Sequence, residues 1–185
     1  PSTIAYVARL LIHRYEMLGV LDSAGYPTAG STILWTDAPA PGASRITPAE
    51  SDTPAERAAA PAFTLRTLDG ERLELAALLA RGPVLLDFWA TWCKPCVTAL
   101  PEVDALARDY GPRGLNVVGV SIDGPRNAAR VRPFVSRLKL GYPIGLDEDG
   151  ALQQDYRVTA VPTAVLIDRD GRIVLRRQGY LPGEG

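Results

Sequence analysis

Both cysteines of this 185-residue chain, Cys93 and Cys96, stand together with two residues between them. Two thiols at that spacing can close and reopen a disulfide by exchange with a thiol or disulfide from another molecule. Val84, Leu85 and Leu86 ahead of the pair predict a buried β-strand, and Val97 to Tyr110 behind it read as a helix. The cysteines therefore fall on a strand-to-helix turn, with Cys93 at a helix N-terminus. Unpaired backbone N–H groups and the positive end of the helix dipole favour a thiolate there, and Lys94 adds a positive charge beside it. A free cysteine titrates near ~8.5, and such a setting brings it to ~7 or below, making Cys93 a nucleophile near neutral pH. Pro95 keeps Cys96 within reach in the first helical turn, where a proline costs no hydrogen bond. The rival use of such a pair, half of a closed zinc site, needs four ligands, and beyond the two cysteines the chain offers one distant histidine, His13. Redox chemistry is expected, with no metal and no cofactor other than a Cys93–Cys96 disulfide.

Asp87 is the unusual residue of the preceding strand. A carboxylate between Leu86 and Phe88, in a sheet buried on both faces, has no cheap route to water. Desolvation should raise its pKa and suit it to giving and taking a proton near neutrality. The plainer reading is a structural acid satisfied by a buried partner.

The rest of the chain must position these groups. Ile4, Val7, Ala8, Leu11, Tyr15 and Leu18 recur at helical spacing, which makes residues 1–35 an amphipathic helical extension with the helix ending at Gly19. Thr32 to Trp35 fits a short strand. Residues 36–60, with Pro39, Pro41, Pro48 and Pro54 among Ala, Ser and Thr, read as a linker, and residues 61–185 as the main domain. In that domain Phe63 to Thr67 and Arg72 to Leu75 flank an Asp69-Gly70 turn, and a short helix runs to Ala80. A βαβ unit follows, from Val84 to Trp89 through the Cys-bearing helix to Leu115 to Ile122. Asn127 to Leu140 reads as a helix, Tyr142 to Leu146 as a short strand and Ala151 to Tyr156 as a helical turn. Thr163 to Ile167 and Ile173 to Arg177 close the domain as a hairpin about Asp170-Gly171.

The run Phe88-Trp89-Ala90-Thr91-Trp92-Cys93-Lys94-Pro95-Cys96, followed by Leu100-Pro101, resembles the active-site segment of the thioredoxin superfamily, specifically its TlpA/ResA-like branch of envelope thiol-disulfide oxidoreductases. Ala60-Pro61-Ala62-Phe63-Thr64-Leu65 with Asp69-Gly70 resembles that branch's opening hairpin, and Val161-Pro162-Thr163 the superfamily's cis-proline loop. The likeness runs from about Pro61 to Leu181. It implies an α/β thioredoxin-like fold, a central mixed sheet flanked by helices, and protein disulfides or dithiols as partners together with an electron donor or acceptor. By the same resemblance Cys93 is the attacking and Cys96 the resolving cysteine, and Asp87 matches the acid of thioredoxins proper that exchanges a proton with Cys96. Trp92, Lys94, Pro95, Val161 and Pro162 are then the substrate-facing residues, with Pro162 cis and its loop against the cysteines, while Trp89 belongs to the core. Ala99 stands where many members carry a glutamate thought to tune the site, so the likeness lends no support to a specialised cytochrome-maturation role. Thioredoxin-like domains usually follow the closing hairpin with a covering helix. The chain stops soon after Gly179, and the N-terminal helix is expected to cover that face instead, in its own chain or in a neighbour's by exchange; the plainer reading packs that segment elsewhere.

A net charge of −1 gives no electrostatic case for nucleic acid or an anionic membrane surface. Ile4 to Leu21 is broken by Arg9, His13, Arg14 and Glu16 too often to span a bilayer, so no membrane span is expected. The branch it resembles implies a periplasmic or cell-envelope location. Eighteen of the twenty basic residues are arginine, and Arg126, Arg130 and Arg137 fall along one expected helical face, read as solvated rather than as an acidic docking site. Two other functions fit the same elements. A peroxiredoxin-like peroxidase would share the opening hairpin, and a non-catalytic binding module or metal chaperone would share the fold. The second cysteine three residues on and the Trp before Cys93 favour disulfide exchange over the first.

Overall fold

The computed structural model describes residues 58–179. The expected N-terminal helix and its covering role, the Thr32 to Trp35 strand, most of the linker and the segment after Gly179 lie outside the described residues.

The chain order is β1 (Thr64–Arg66), β2 (Arg72–Glu74), α1 (Leu75–Leu79), β3 (Val84–Trp89), α2 (Lys94–Tyr110), β4 (Asn116–Ser121), α3 (Ala128–Leu138), β5 (Ile144–Leu146), α4 (Ala151–Asp155), β6 (Thr163–Ile167) and β7 (Ile173–Gln178). Five strands form one sheet in the order β5-β4-β3-β6-β7, and β1-β2 is a separate hairpin. The β3–β4 and β4–β5 pairs are parallel, whereas β3–β6 and β6–β7 are antiparallel. This is the mixed sheet flanked by helices that the sequence predicts.

Two parallel steps in the same direction across the sheet, each made right-handed through a helix, put α2 and α3 on one face. Leu100, Val103 and Leu106 of α2 and Val131 of α3 accordingly share a core with Leu85 and Trp89 of β3. On the opposite face the hairpin, α1 and α4 bring Leu65, Leu73, Leu78 and Leu152 against Val84, Leu86 and Phe88. Every residue of β3 is buried, which explains its nearly unbroken apolar run.

The hairpin reaches the sheet edge at Gly145, where Thr67 forms a bridge and the Leu68 N–H donates to the Ile144 carbonyl at 2.8 Å. A Cβ on Gly145 would lie 2.4 Å from Leu65 Cγ and 3.0 Å from the Arg66 carbonyl oxygen, so the close docking requires glycine.

Several boundaries differ from the sequence reading. The cysteine-bearing helix begins at Lys94, because Cys93 itself supplies the cap. Helix α3 starts at Ala128, which leaves Arg126 ahead of it, so the three arginines expected on one helical face are only two. That helix ends at Leu138, with Lys139 in the left-handed region at φ 54°. At the other end of the domain, the Ile173 N–H donates to the Ala58 carbonyl and the Ala60 N–H to the Gly171 carbonyl. Hydrogen bonding to the closing hairpin therefore begins three residues ahead of Pro61.

Candidate active site at the strand-to-helix turn

Cys93 and Cys96 are joined as a disulfide, their Cα atoms 5.3 Å apart. Cys93 is the N-cap of α2, with extended backbone, and its Sγ accepts the Cys96 N–H at 3.2 Å. Here a sulfur occupies the place that a Ser or Asp oxygen takes at an ordinary helix start. In the dithiol state the same N–H would point at the Cys93 thiolate and stabilise it over the thiol. No acidic residue in the first turn opposes this field, and Lys94 and Pro95 are exposed beside it.

Cys93 is only 5% exposed and Cys96 1%, so neither sulfur-bearing residue is open to solvent in the disulfide state, although Cys93 is the outer of the two. The Val161–Pro162 loop lies over the turn, with the Val161 carbonyl oxygen 3.6 Å from Cys93 Sγ. A disulfide sulfur has no proton to donate, so this is a contact; in the dithiol an S–H would make it a weak hydrogen bond. The Val161–Pro162 peptide bond is cis. The loop is fixed from both sides, since Thr163 Oγ1 donates to the Ala160 carbonyl at 2.6 Å and the Gly179 N–H to the Pro162 carbonyl at 2.8 Å.

Strand alternation puts Asp87 on the same face as Leu85 and Trp89, the face that α2 and its cysteines cover. It is 1% exposed, and burial raises its pKa to about 7. Its Oδ1 has no hydrogen-bond partner among the described residues, which argues against the structural-acid reading. Directly across the ladder is Gly119. A Cβ there would lie 3.0 Å from the Tyr142 ring and 3.3 Å from Trp89 Nε1, so the missing side chain leaves room for both rings beside Asp87. Burial, then the Asp87 and Asp104 charges, push the Tyr142 hydroxyl well above its ordinary value and keep it neutral.

One residue bonded to the redox loop has no place in the sequence reading. Asp123, fully buried just past β4, accepts the Thr91 N–H at 2.8 Å and the Thr91 hydroxyl at 2.6 Å, and Ser121 Oγ donates to the same carboxylate at 2.8 Å. Thr91 stands two residues before Cys93, so this carboxylate ties the redox loop to the end of the neighbouring strand. An acid ending an apolar strand was the available signal, but Ser121-Ile122-Asp123-Gly124 also reads as an ordinary turn.

Trp92 is 60% exposed, whereas Trp89 is buried with its ring 5.7 Å from that of Phe134. The turn thus brings together Cys93, Cys96, Lys94, Pro95 and Trp92 with Val161 and Pro162, with Asp87 on the covered strand face below. No group of three or more potential metal ligands lies together among the described residues.

Residues 57–176 match the AhpC/TSA family. Thiol-disulfide oxidoreductase ResA of Bacillus thuringiensis subsp. konkukian (strain 97-27) is 33% identical over 120 residues, which span 65% of this chain and 68% of that protein. Thioredoxin-like protein YneN of Bacillus subtilis (strain 168) is 40% identical over 116 residues, 62% of this chain and 66% of the relative. Among solved structures, the pneumococcal exposed lipoprotein thioredoxin (Etrx1) of Streptococcus pneumoniae strain TIGR4 superposes with a TM-score of 0.58 at 28% identity, covering 65% of this chain and 91% of that one.

Proposed function

The chain belongs to the AhpC/TSA family and is a thioredoxin-like thiol-disulfide oxidoreductase of the TlpA/ResA-like branch, and from that premise we propose a role for each group at the turn. In the reducing direction the Cys93 thiolate attacks one sulfur of a protein disulfide. A Cys93–partner mixed disulfide forms, and the partner's other sulfur leaves as a thiolate. Cys96 then gives its proton to the Asp87 carboxylate and attacks Cys93 Sγ. The Cys93–Cys96 disulfide closes, and the partner's second sulfur leaves as a thiolate and is protonated. Two electrons have passed to the partner. In the oxidising direction each step runs backwards, with Asp87 returning the proton.

The observation that carries this reading is the 3.2 Å approach of the Cys96 N–H to Cys93 Sγ, which fits Cys93 as the thiolate and leaves Cys96 as the inner thiol. The Val161 carbonyl and Trp92 flank Cys93 and suit an extended partner segment laid across it. The substrates are protein disulfides or dithiols. A cell-envelope location is supported by the exposed lipoprotein relative.

With insulin as the disulfide substrate, the reduced Cys96→Ser protein should accumulate mixed disulfides through Cys93, whereas Cys93→Ser should give neither adducts nor turnover. Adducts forming through Cys96 in the Cys93→Ser protein would reverse the assignment. Peroxide consumption by the wild type faster than insulin reduction would favour a peroxidase.

A further inference from the structure

A groove of about 520 Å³ opens beside the redox turn, lined by Thr91, Trp92, Arg130, Pro133, Phe134 and Arg137 among others. Its floor is apolar, because the half-buried Phe134 ring packs on buried Trp89 and the Trp92 ring stands exposed at its edge. Its wall is cationic. Arg130, Phe134 and Arg137 follow one another at helical spacing along α3, and the Arg137 guanidinium lies over the Phe134 ring at 5.0 Å from its centroid. That stacking holds the guanidinium fork in place before any ligand arrives. Neither Arg130 nor Arg137 has an acidic partner within ion-pair distance among the described residues, in contrast to Arg108 with Asp104 and Arg132 with Asp69. Pro133 also brings no N–H to the Ala129 carbonyl, which leaves a backbone acceptor on the groove-lining turn.

We infer that this groove selects among protein partners, favouring those with a carboxylate side chain a few residues from the attacked cysteine. The inference rests on the disulfide-exchange reading and goes beyond it by naming the partner's chemistry. Charge complementarity carries it. Two guanidiniums with no acidic partner among the described residues stand in a groove whose lining begins one residue from Cys93. A partner segment crossing Cys93 has to pass Trp92 and Phe134, and an Asp or Glu there meets two exposed guanidiniums, one of them stacked on the Phe134 ring, where rim charges set encounter and register.

The test uses two synthetic peptides of equal length, each closed by a disulfide, one flanked by aspartates and the other by lysines. Hydroxyethyl disulfide serves as an uncharged reference. Each rate constant is divided by the same protein's rate on hydroxyethyl disulfide. The wild type should prefer the acidic peptide by about fivefold for each guanidinium engaged, the upper range for an exposed pair, and the preference should fade in concentrated salt. The Arg130→Glu/Arg137→Glu protein should invert it. Equal rates on the two peptides, or a preference that the reversal leaves in place, would overturn the inference while leaving disulfide exchange intact. No turnover of either peptide or of insulin by the wild type would overturn the exchange reading and the inference together.

Discussion

Replacing Asp87 by Asn tests the buried acid where its effect is largest, in the pH dependence of stability. In the unfolded chain this carboxyl titrates near its ordinary 3.8, and in the folded protein near 7. Between those values the unfolded state has lost a proton that the native state keeps. Stability therefore falls as pH rises through that window, and it levels off above the folded pKa. About three pH units at 1.36 kcal/mol each amount to about 4 kcal/mol at full ionisation, an upper figure for a fully desolvated group. The Asp87→Asn protein would carry no such dependence. It would still place an amide among apolar neighbours, so the absolute offset between the two proteins is the weaker observable and its change with pH the stronger one.

The assay is urea unfolding of the disulfide forms, followed by tryptophan fluorescence from about pH 4.5 to about pH 8. Asp87→Asn should gain on the wild type by about 3 kcal/mol across that range, since part of the window lies below it. A parallel measurement of mixed-disulfide resolution should show the Asp87→Asn protein slower, because Cys96 has lost its proton acceptor. A stability difference that stays constant with pH would refute the buried, unpartnered acid. A pH-dependent difference with undiminished resolution would leave the acid buried but remove it from the reaction.

Asp123→Ala would strip the Thr91 N–H, the Thr91 hydroxyl and the Ser121 hydroxyl of their shared acceptor; a loss of about 3 kcal/mol in urea unfolding is expected, and the reduction potential of the cysteine pair should shift as the loop loosens. An unchanged potential would confine Asp123 to a structural role. Gly145→Ala would drive a Cβ into Leu65 and the Arg66 carbonyl, at a cost of about 2 kcal/mol; calorimetry should show a lowered Tm, and an unaltered Tm would mean that the hairpin docks more loosely than described.

What the sequence made legible was whatever local pattern determines. The strand β6 ends where its apolar run ends, and the redox turn follows from one strand, one helix and the cysteines between them. Asp87 stood out because a charge in an apolar run is costly wherever the strand packs. Asp123 did not, because an acid in a Ser-x-Asp-Gly stretch is common turn chemistry, and its role depends on Thr91, thirty-two residues away. The contact of Cys93 with the Val161 carbonyl was equally hidden, since that loop lies sixty-eight residues on. Arg130 and Arg137 read as a solvated face because nothing in their spacing reveals that Trp92 and Phe134 make a groove of it.

The two halves of the redox centre sit at the ends of neighbouring strands, β3 leading into Cys93 and β6 leading out of Pro162, and five residue pairs from Val84↔Ile167 to Phe88↔Thr163 hold them in register. Nothing in that alignment passes through α3, β5 or α4. The exposed face of α3 can change its charge while the sulfurs and the Val161 carbonyl keep their spacing, so long as Asp123 still holds Thr91 and Val131 and Phe134 still fill the core beside Trp89. Partner choice, written on α3, and electron transfer, written on the ladder, can thus drift separately. Transplanting another relative's α3 into this frame should bring across its preferences and leave the exchange chemistry where it is.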